Sequence, residues 1–167
     1  MPPTDSDPGS EPTLVLPRSI EAEMREHARE VAPHECCGIL GGVFEPHSSR
    51  VTSRYPADNV ATEPTTEYRI DPEEQLAVFE ELEDRGEEIV GFYHSHPRGP
   101  FAPSETDVAG AAWPNRSYVI VSLEGDFGEP AIGSWRWRDD GDRDRDREHD
   151  NEHDDGGRFV LETIERP

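Results

Sequence analysis

Glu88-Ile-Val-Gly-Phe-Tyr93 runs without interruption into His94-Ser95-His96. A short, mostly apolar run of this kind reads as a buried strand, and a strand turns alternate side chains to opposite faces. His94 and His96 therefore share one face at the strand's end. After the ten residues Pro97 to Thr106 comes Asp107, within Ser104-Glu-Thr-Asp107. That segment opens a short Ala-rich helix, with Ser104 as a cap and an acid near the positive end of the helix dipole. The chain must then fold so that a helix start returns to the end of a strand. Two imidazoles and a carboxylate make three ligands, and catalytic zinc sites use three protein ligands while keeping a fourth position for water.

The remaining elements follow from local pattern. Thr13-Leu-Val-Leu16 predicts a first strand, and Pro17 suits the first turn of a helix whose stripe is Ile20, Met24, Ala28 and Val31. Pro33 ends that helix. Residues 35–44 and 50–56 predict two more strands, and 57–67 a loop. Tyr68-Arg-Ile70 reads as a short strand. Asp71, Pro72 and Glu74 then predict a capped helix start, with Leu76, Phe79 and Leu82 inward and Gly86 at its end. Residues 117–123, 131–137 and 158–164 predict three final strands. The sum is a single α/β domain on a mixed sheet flanked by helices.

Both ends differ from this middle. Residues 1–12 are rich in Pro, Ser, Asp and Glu and read as a disordered tail. Residues 139–155 carry ten acids against three arginines and nothing apolar to bury, which predicts a solvated loop insertion between two strands, not a second domain. Asp142, Asp144 and Asp146 resemble a calcium loop, but Arg147 stands where the EF-hand glycine belongs.

A net charge of −22 over 167 residues argues against nucleic acid and against anionic membrane surfaces. The acids are spread along the chain and arginine carries the basic charge, a composition that suits a salt-adapted protein. No apolar stretch is long enough for a membrane helix and the first residues lack the features of a secretion signal, so a cytoplasmic location is expected. Cys36 and Cys37 are adjacent, cannot build a disulfide framework, and would point to opposite faces of a strand as small buried hydrophobes. The three tryptophans read as core or sheet-face residues. Phe101, in the loop after His96, is a candidate wall of a substrate groove.

His94-Ser-His96-Pro97, six residues, and Ser104-Glu-Thr-Asp107 resemble the signature of the JAMM (MPN-plus) metallopeptidases. The second block of that family, Pro-x-Glu-x-Cys-Gly-x-Leu, is matched by Pro33-His34-Glu35-Cys36-Cys37-Gly38-Ile39-Leu40. The resemblance covers residues 14–137 and implies a curved sheet of the JAMM/MPN, cytidine-deaminase-like kind. It implies one zinc per chain, held by His94, His96 and Asp107. Glu35 would be the base that takes a proton from water and passes it to the leaving amine. Ser104 would hydrogen-bond the developing oxyanion, a role that calls on the same hydroxyl as its helix cap.

A strongly acidic, single-domain member of the family is similar to archaeal, haloarchaeal-type desampylases. The implied activity is hydrolysis of the amide between the C-terminal glycine of a small ubiquitin-like archaeal modifier and a protein lysine. The alternatives are a peptidase that trims the C-terminus of a sulfur-carrier protein, and a non-catalytic MPN scaffold; relatives of the scaffold kind usually lack some ligands, whereas this chain has them all. A modifier's extended tail would lie beside a sheet edge to bring its carbonyl to the metal.

Overall fold

The computed structural model describes residues 11–124, 131–139 and 157–167. Among them lie β1 (Thr13–Val15), α1 (Arg18–Val31), β2 (Cys37–Val43), β3 (Ser48–Ala57), α2 (Pro72–Asp84), β4 (Glu88–His96), α3 (Glu105–Gly110), β5 (Ser117–Ser122), β6 (Ala131–Asp139) and β7 (Gly157–Glu165). The strands make one mixed sheet in the order β1-β3-β2-β4-β5-β6-β7, and β1 pairs in parallel with both β3 and β7. The expected curved sheet thus goes further and closes on itself. The closure runs only through β1, which covers Ser48–Arg50 of β3 and Thr163–Glu165 of β7. Beyond these residues β3 pairs only with β2, and β7 only with β6, among the described strands, so free edge remains there.

Strand alternation divides the core in two. Cys36, Leu40, Val90, Tyr93, Val119 and Val121 pack with Leu14 and with Ile20, Met24 and Ala28 of α1. Cys37, Ile39, Phe92, Tyr118 and Trp137 pack with Val78 and Leu82 of α2. The adjacent cysteines do face opposite ways, both are buried, and neither forms a disulfide. Burial pushes their thiols up, Cys36 to about 11 and Cys37 to about 12, so they behave as inert hydrophobes.

One polar network sits inside the apolar packing. Arg136 is wholly buried, and its Nε donates to Glu162 at 2.8 Å. Ser134 and Ser117 donate to the same carboxylate at 2.6 and 2.9 Å, and the Arg136 guanidinium also reaches the carbonyls of Glu45 and Pro46. A buried charge is tolerated when its hydrogen bonds are met in this way.

Several local expectations are corrected. Tyr68–Ile70 is no strand: its only pairing is an isolated bridge between Asn59 and Ile70. In α2 Phe79 and Leu82 pack inward as expected, joined by Val78, whereas Leu76 is 58% exposed. Asp71 caps by accepting from Glu73 N, but Glu74 turns to the amide of Asp58 instead of closing the box. Pro17 is the cap of α1, not its first turn. Of the tail expected over 1–12, only Glu11 and Pro12 are described, and both bond to Thr163. The insertion expected over 139–155 lies outside the described residues except for Asp139. Asp139 pairs with Gly157, so the strands on either side of the insertion are antiparallel neighbours.

Candidate metal centre

The antiparallel β2–β4 pair sets Cys37 opposite His94. The ladder continues beyond β2 because Cys36 donates to Ser95 Oγ at 2.7 Å and its carbonyl accepts from Ser95 N at 3.1 Å. Glu35, one residue further, therefore arrives beside His96. The two sequence blocks, far apart in the chain, meet through strand register.

From β4 the chain loops over Pro97–Pro103 and returns as α3. His96 Nδ1 lies 2.7 Å from the Pro100 carbonyl and Ser122 Oγ donates to Gly99 O at 2.5 Å, so the loop is fastened at the strand end. Ser104 and Asp107 then form a full capping box: Ser104 Oγ accepts from Asp107 N at 3.1 Å, and Asp107 Oδ2 accepts from Ser104 N at 2.9 Å. This cap holds the Asp107 carboxylate against both histidines. Its Oδ1 is 3.1 Å from His94 Nε2 and its Oδ2 is 3.0 Å from His96 Nε2.

The two Nε2 atoms are 3.3 Å apart. A tetrahedron of ligands about 2.0–2.1 Å from zinc has edges of about 3.3 Å, so the three side chains already stand at ligand spacing. A carbonyl can only accept, so His96 Nδ1 carries its hydrogen towards Pro100; Nε2, which donates to Asp107 Oδ2 at 3.0 Å, is then the nitrogen that gives up its proton when a metal binds. Burial would raise the Asp107 carboxyl, but hydrogen bonds from His94, His96 and the Ser104 amide hold it well below the usual range. Burial pushes His94 down against the pull of Asp107, favouring the neutral imidazole that metals bind. The donor set fits a zinc ion.

One carboxylate oxygen of Glu35 and one ring nitrogen each of His94 and His96 lie within 4.8 Å of one another. Glu35 is 4% exposed, and its Oε1 has no hydrogen-bond partner among the described residues. Burial pushes its carboxyl up to about 7, opposed by His96 and reinforced by Asp107 and Glu67. An unclaimed carboxylate that titrates near neutrality suits a proton shuttle.

Two clefts adjoin these residues. One, of about 510 Å³, is lined by Glu35, His96, Ser104, Thr66 and Arg98. Phe101, expected to line a substrate groove, is not part of it; its ring lies against Gly133, where a Cβ would come within 2.4 Å. The other cleft, of about 570 Å³, is lined by Asp107, Tyr68, Phe92, Trp113 and Tyr118.

The family description "prokaryotic homologs of the JAB domain" matches residues 17–138. The chain belongs to that family. This JAB domain is 43% identical to the desampylase of Haloferax volcanii over 64% of its own length and 81% of the relative's. It is 40% identical to the CysO-cysteine peptidase of Mycobacterium tuberculosis over 65% of its length and 73% of the relative's. It is 38% identical to a probable TtuB-protein conjugate cleaving protease of Thermus thermophilus, over 67% and 72%. A solution structure of a Desulfitobacterium hafniense protein superposes with a TM-score of 0.69 at 29% identity, covering 93% of each chain. The JAB domain is thus an enzyme of the JAMM peptidase type.

Two residues of the centre escape a reading of the sequence. Tyr68 stacks on the His94 ring, with centroids 4.4 Å apart. Asn59 organises the loop that carries Tyr68, through bonds to residues on both sides of it. The only local sign is the Asx turn at Asn59, whose Oδ1 accepts from Ala61 N at 3.0 Å. Nothing in the sequence marks Tyr68.

Proposed function

We propose that this JAB domain is a zinc-dependent isopeptidase. Its reaction would be hydrolysis of the amide between a ubiquitin-like modifier's C-terminal glycine and a protein lysine. The observation that carries the reading is the convergence of His94, His96 and Asp107 at zinc-ligand spacing beside the unpartnered Glu35 carboxylate. His94, His96 and Asp107 would hold one zinc per chain. Zinc supplies, when bound, polarisation of the scissile carbonyl and a water whose pKa falls to about 7.

Glu35 takes one proton from the attacking water and delivers it to the departing lysine nitrogen as the C–N bond breaks. The second water proton leaves the new carboxyl group for the amine, so the products are a carboxylate and a lysine ammonium. Ser104 donates its hydroxyl hydrogen to the oxygen that becomes negative as water adds. Its helix cap uses only an oxygen lone pair, accepting from Asp107 N, so the two roles proposed for one hydroxyl are compatible. Residues 13–167 would make up the catalytic domain, with 139–155 as an insertion. No helix among the described residues is long and apolar enough to cross a membrane, and we place the enzyme in the cytoplasm of a salt-adapted cell.

Desampylase and conjugate-cleaving relatives favour the lysine-linked substrate, and a small archaeal modifier is our choice of partner. A second reading, trimming the C-terminus of a sulfur-carrier protein, is favoured by the CysO-cysteine peptidase relative. The deciding experiment incubates zinc-loaded protein at high salt with a modifier–lysine conjugate and, separately, with the modifier extended by one C-terminal residue. The first reading expects faster cleavage of the conjugate, abolished by chelator. Cleavage of the extended form alone selects the second, and cleavage unaffected by chelator rejects both.

A further inference from the structure

The two histidines of the centre are held by different means. A ligating imidazole normally gives its second ring N–H to a carbonyl or carboxylate, which fixes the angle of the ring. His96 does so, with Nδ1 2.7 Å from Pro100 O. His94 does not: its Nδ1 is buried and has no hydrogen-bond partner among the described residues. The χ2 torsion of histidine is broad, so a ring without such a bond can swing about it. What His94 has instead is Tyr68, whose ring lies over it with centroids 4.4 Å apart and planes 21° from parallel.

Tyr68 is itself held firmly. The Asn59 amide donates to Glu67 O at 2.9 Å, and its Oδ1 accepts from Arg69 N at 3.0 Å, so the residues on both sides of Tyr68 are pinned by one side chain. Ile70, two residues on, is buried in the core with Phe92 and Val78. The same Asn59 amide donates to Glu35 O at 3.1 Å. The stacking ring is thus mounted on a bracket shared with the carboxylate across the site.

We propose that Tyr68 is a positioning residue of the metal centre: stacking of its ring holds the His94 imidazole at the angle that metal binding needs, in place of the missing hydrogen bond at Nδ1. The inference rests on the reading of His94 as a ligand. It concerns the ring face and not the phenol oxygen, so phenylalanine should substitute and an aliphatic residue should not.

The test measures zinc affinity of the full chain by competition with a chromophoric chelator, and the visible spectrum of the cobalt-substituted protein. The proteins are wild type, Tyr68→Phe, Tyr68→Leu and His94→Ala, with folding of the metal-free forms checked by circular dichroism. Tyr68→Phe should match wild type in both readouts. Tyr68→Leu should bind about tenfold more weakly, the low end for loss of an orienting partner, with a changed cobalt spectrum. Should leucine unfold the loop, Tyr68→Met keeps a half-buried apolar chain without a ring face and must show the same loss. Wild-type affinity and spectrum in the aliphatic variant would overturn the inference, as would a phenylalanine variant as weak as leucine. If wild type binds no metal, or His94→Ala binds equally well, the ligand assignment itself fails, and with it this one.

Discussion

The side-chain amide of Asn59 donates to the main-chain carbonyl of Glu35 at 3.1 Å. Glu35 N in turn donates to Pro64 O at 2.7 Å, within the loop that Asn59 organises. The loop and the candidate base therefore move as one piece. Asn59→Asp keeps an oxygen for Ala61 and Arg69 but removes both amide donors, leaving the carbonyls of Glu35 and Glu67 without their partner. We expect a loss of about 1–3 kcal/mol in urea unfolding, together with a fall in turnover at unchanged zinc content. Full turnover would show that the loop does not set the position of Glu35.

Glu35→Gln preserves size and removes the proton acceptor. Zinc content should stay at one per chain while turnover falls by about 10²–10⁴-fold, the range for loss of a general base. Near-normal turnover would mean that another group activates water; loss of the metal would make Glu35 a ligand.

Ser104→Ala separates into two measurable parts. Loss of the cap on α3 should cost about 1 kcal/mol of stability. Loss of a donor to the oxyanion should reduce transition-state binding by about 3 kcal/mol, seen in kcat more than in KM. An activity loss no larger than the cap effect would leave Ser104 with a structural role alone.

Glu21 and Arg166 give a pH dependence whose sign is fixed. Burial raises the Glu21 carboxyl, but hydrogen bonds from Arg166, aided by Arg166, Arg25 and Arg18 charges, outweigh it and lower the pKa. A carboxyl lower in the folded than in the unfolded chain stabilises fully above its unfolded value of about 4.3, and this is lost as pH falls through the folded value. Arg166→Gln should therefore destabilise by about 1–3 kcal/mol at pH 7, with the gap to wild type closing below about pH 4. A gap that persists undiminished in acid would locate the effect in packing.

The parts of the centre written into local pattern were legible. Strand periodicity placed His94 and His96 on one face, and the Ser104-x-x-Asp107 spacing gave the capped helix start. Adjacent cysteines on a strand gave the two faces of the sheet. What stayed hidden depends on distant partners. Leu76, Phe79 and Leu82 make a stripe by spacing, but which face of α2 turns inward is decided by the strands beneath it, and these take Phe79 and Leu82 together with Val78 and leave Leu76 outside. Tyr68–Ile70 has the composition of a strand, yet the Asn59 side chain satisfies the Arg69 amide and the Glu67 carbonyl that a strand partner would take. In Trp135-Arg136-Trp137 alternation favours burying one residue type, whereas Arg136 is the most enclosed because Glu162, diagonal to it across the β6–β7 pair, accepts from its guanidinium. Tyr68 and His94 are 26 residues apart by number, and no local rule links them.

The three residues of β1 have a consequence for how the molecule comes apart. Thr13–Val15 alone join β3 to β7, and only Leu14 and the following Leu16 anchor that segment deeply. So short a keystone is the cheapest piece to release, and its amides should exchange with deuterium ahead of those in β2, β4 and β5. Release would bare Ser48–Arg50 of β3 and Thr163–Glu165 of β7 at once, lengthening the free edges of both strands, and unpaired backbone of that kind seeks a partner on another molecule. Slow self-association should therefore track the exchange rate of Thr13–Val15, and weakening that latch should hasten clumping before it touches the metal-bearing strand.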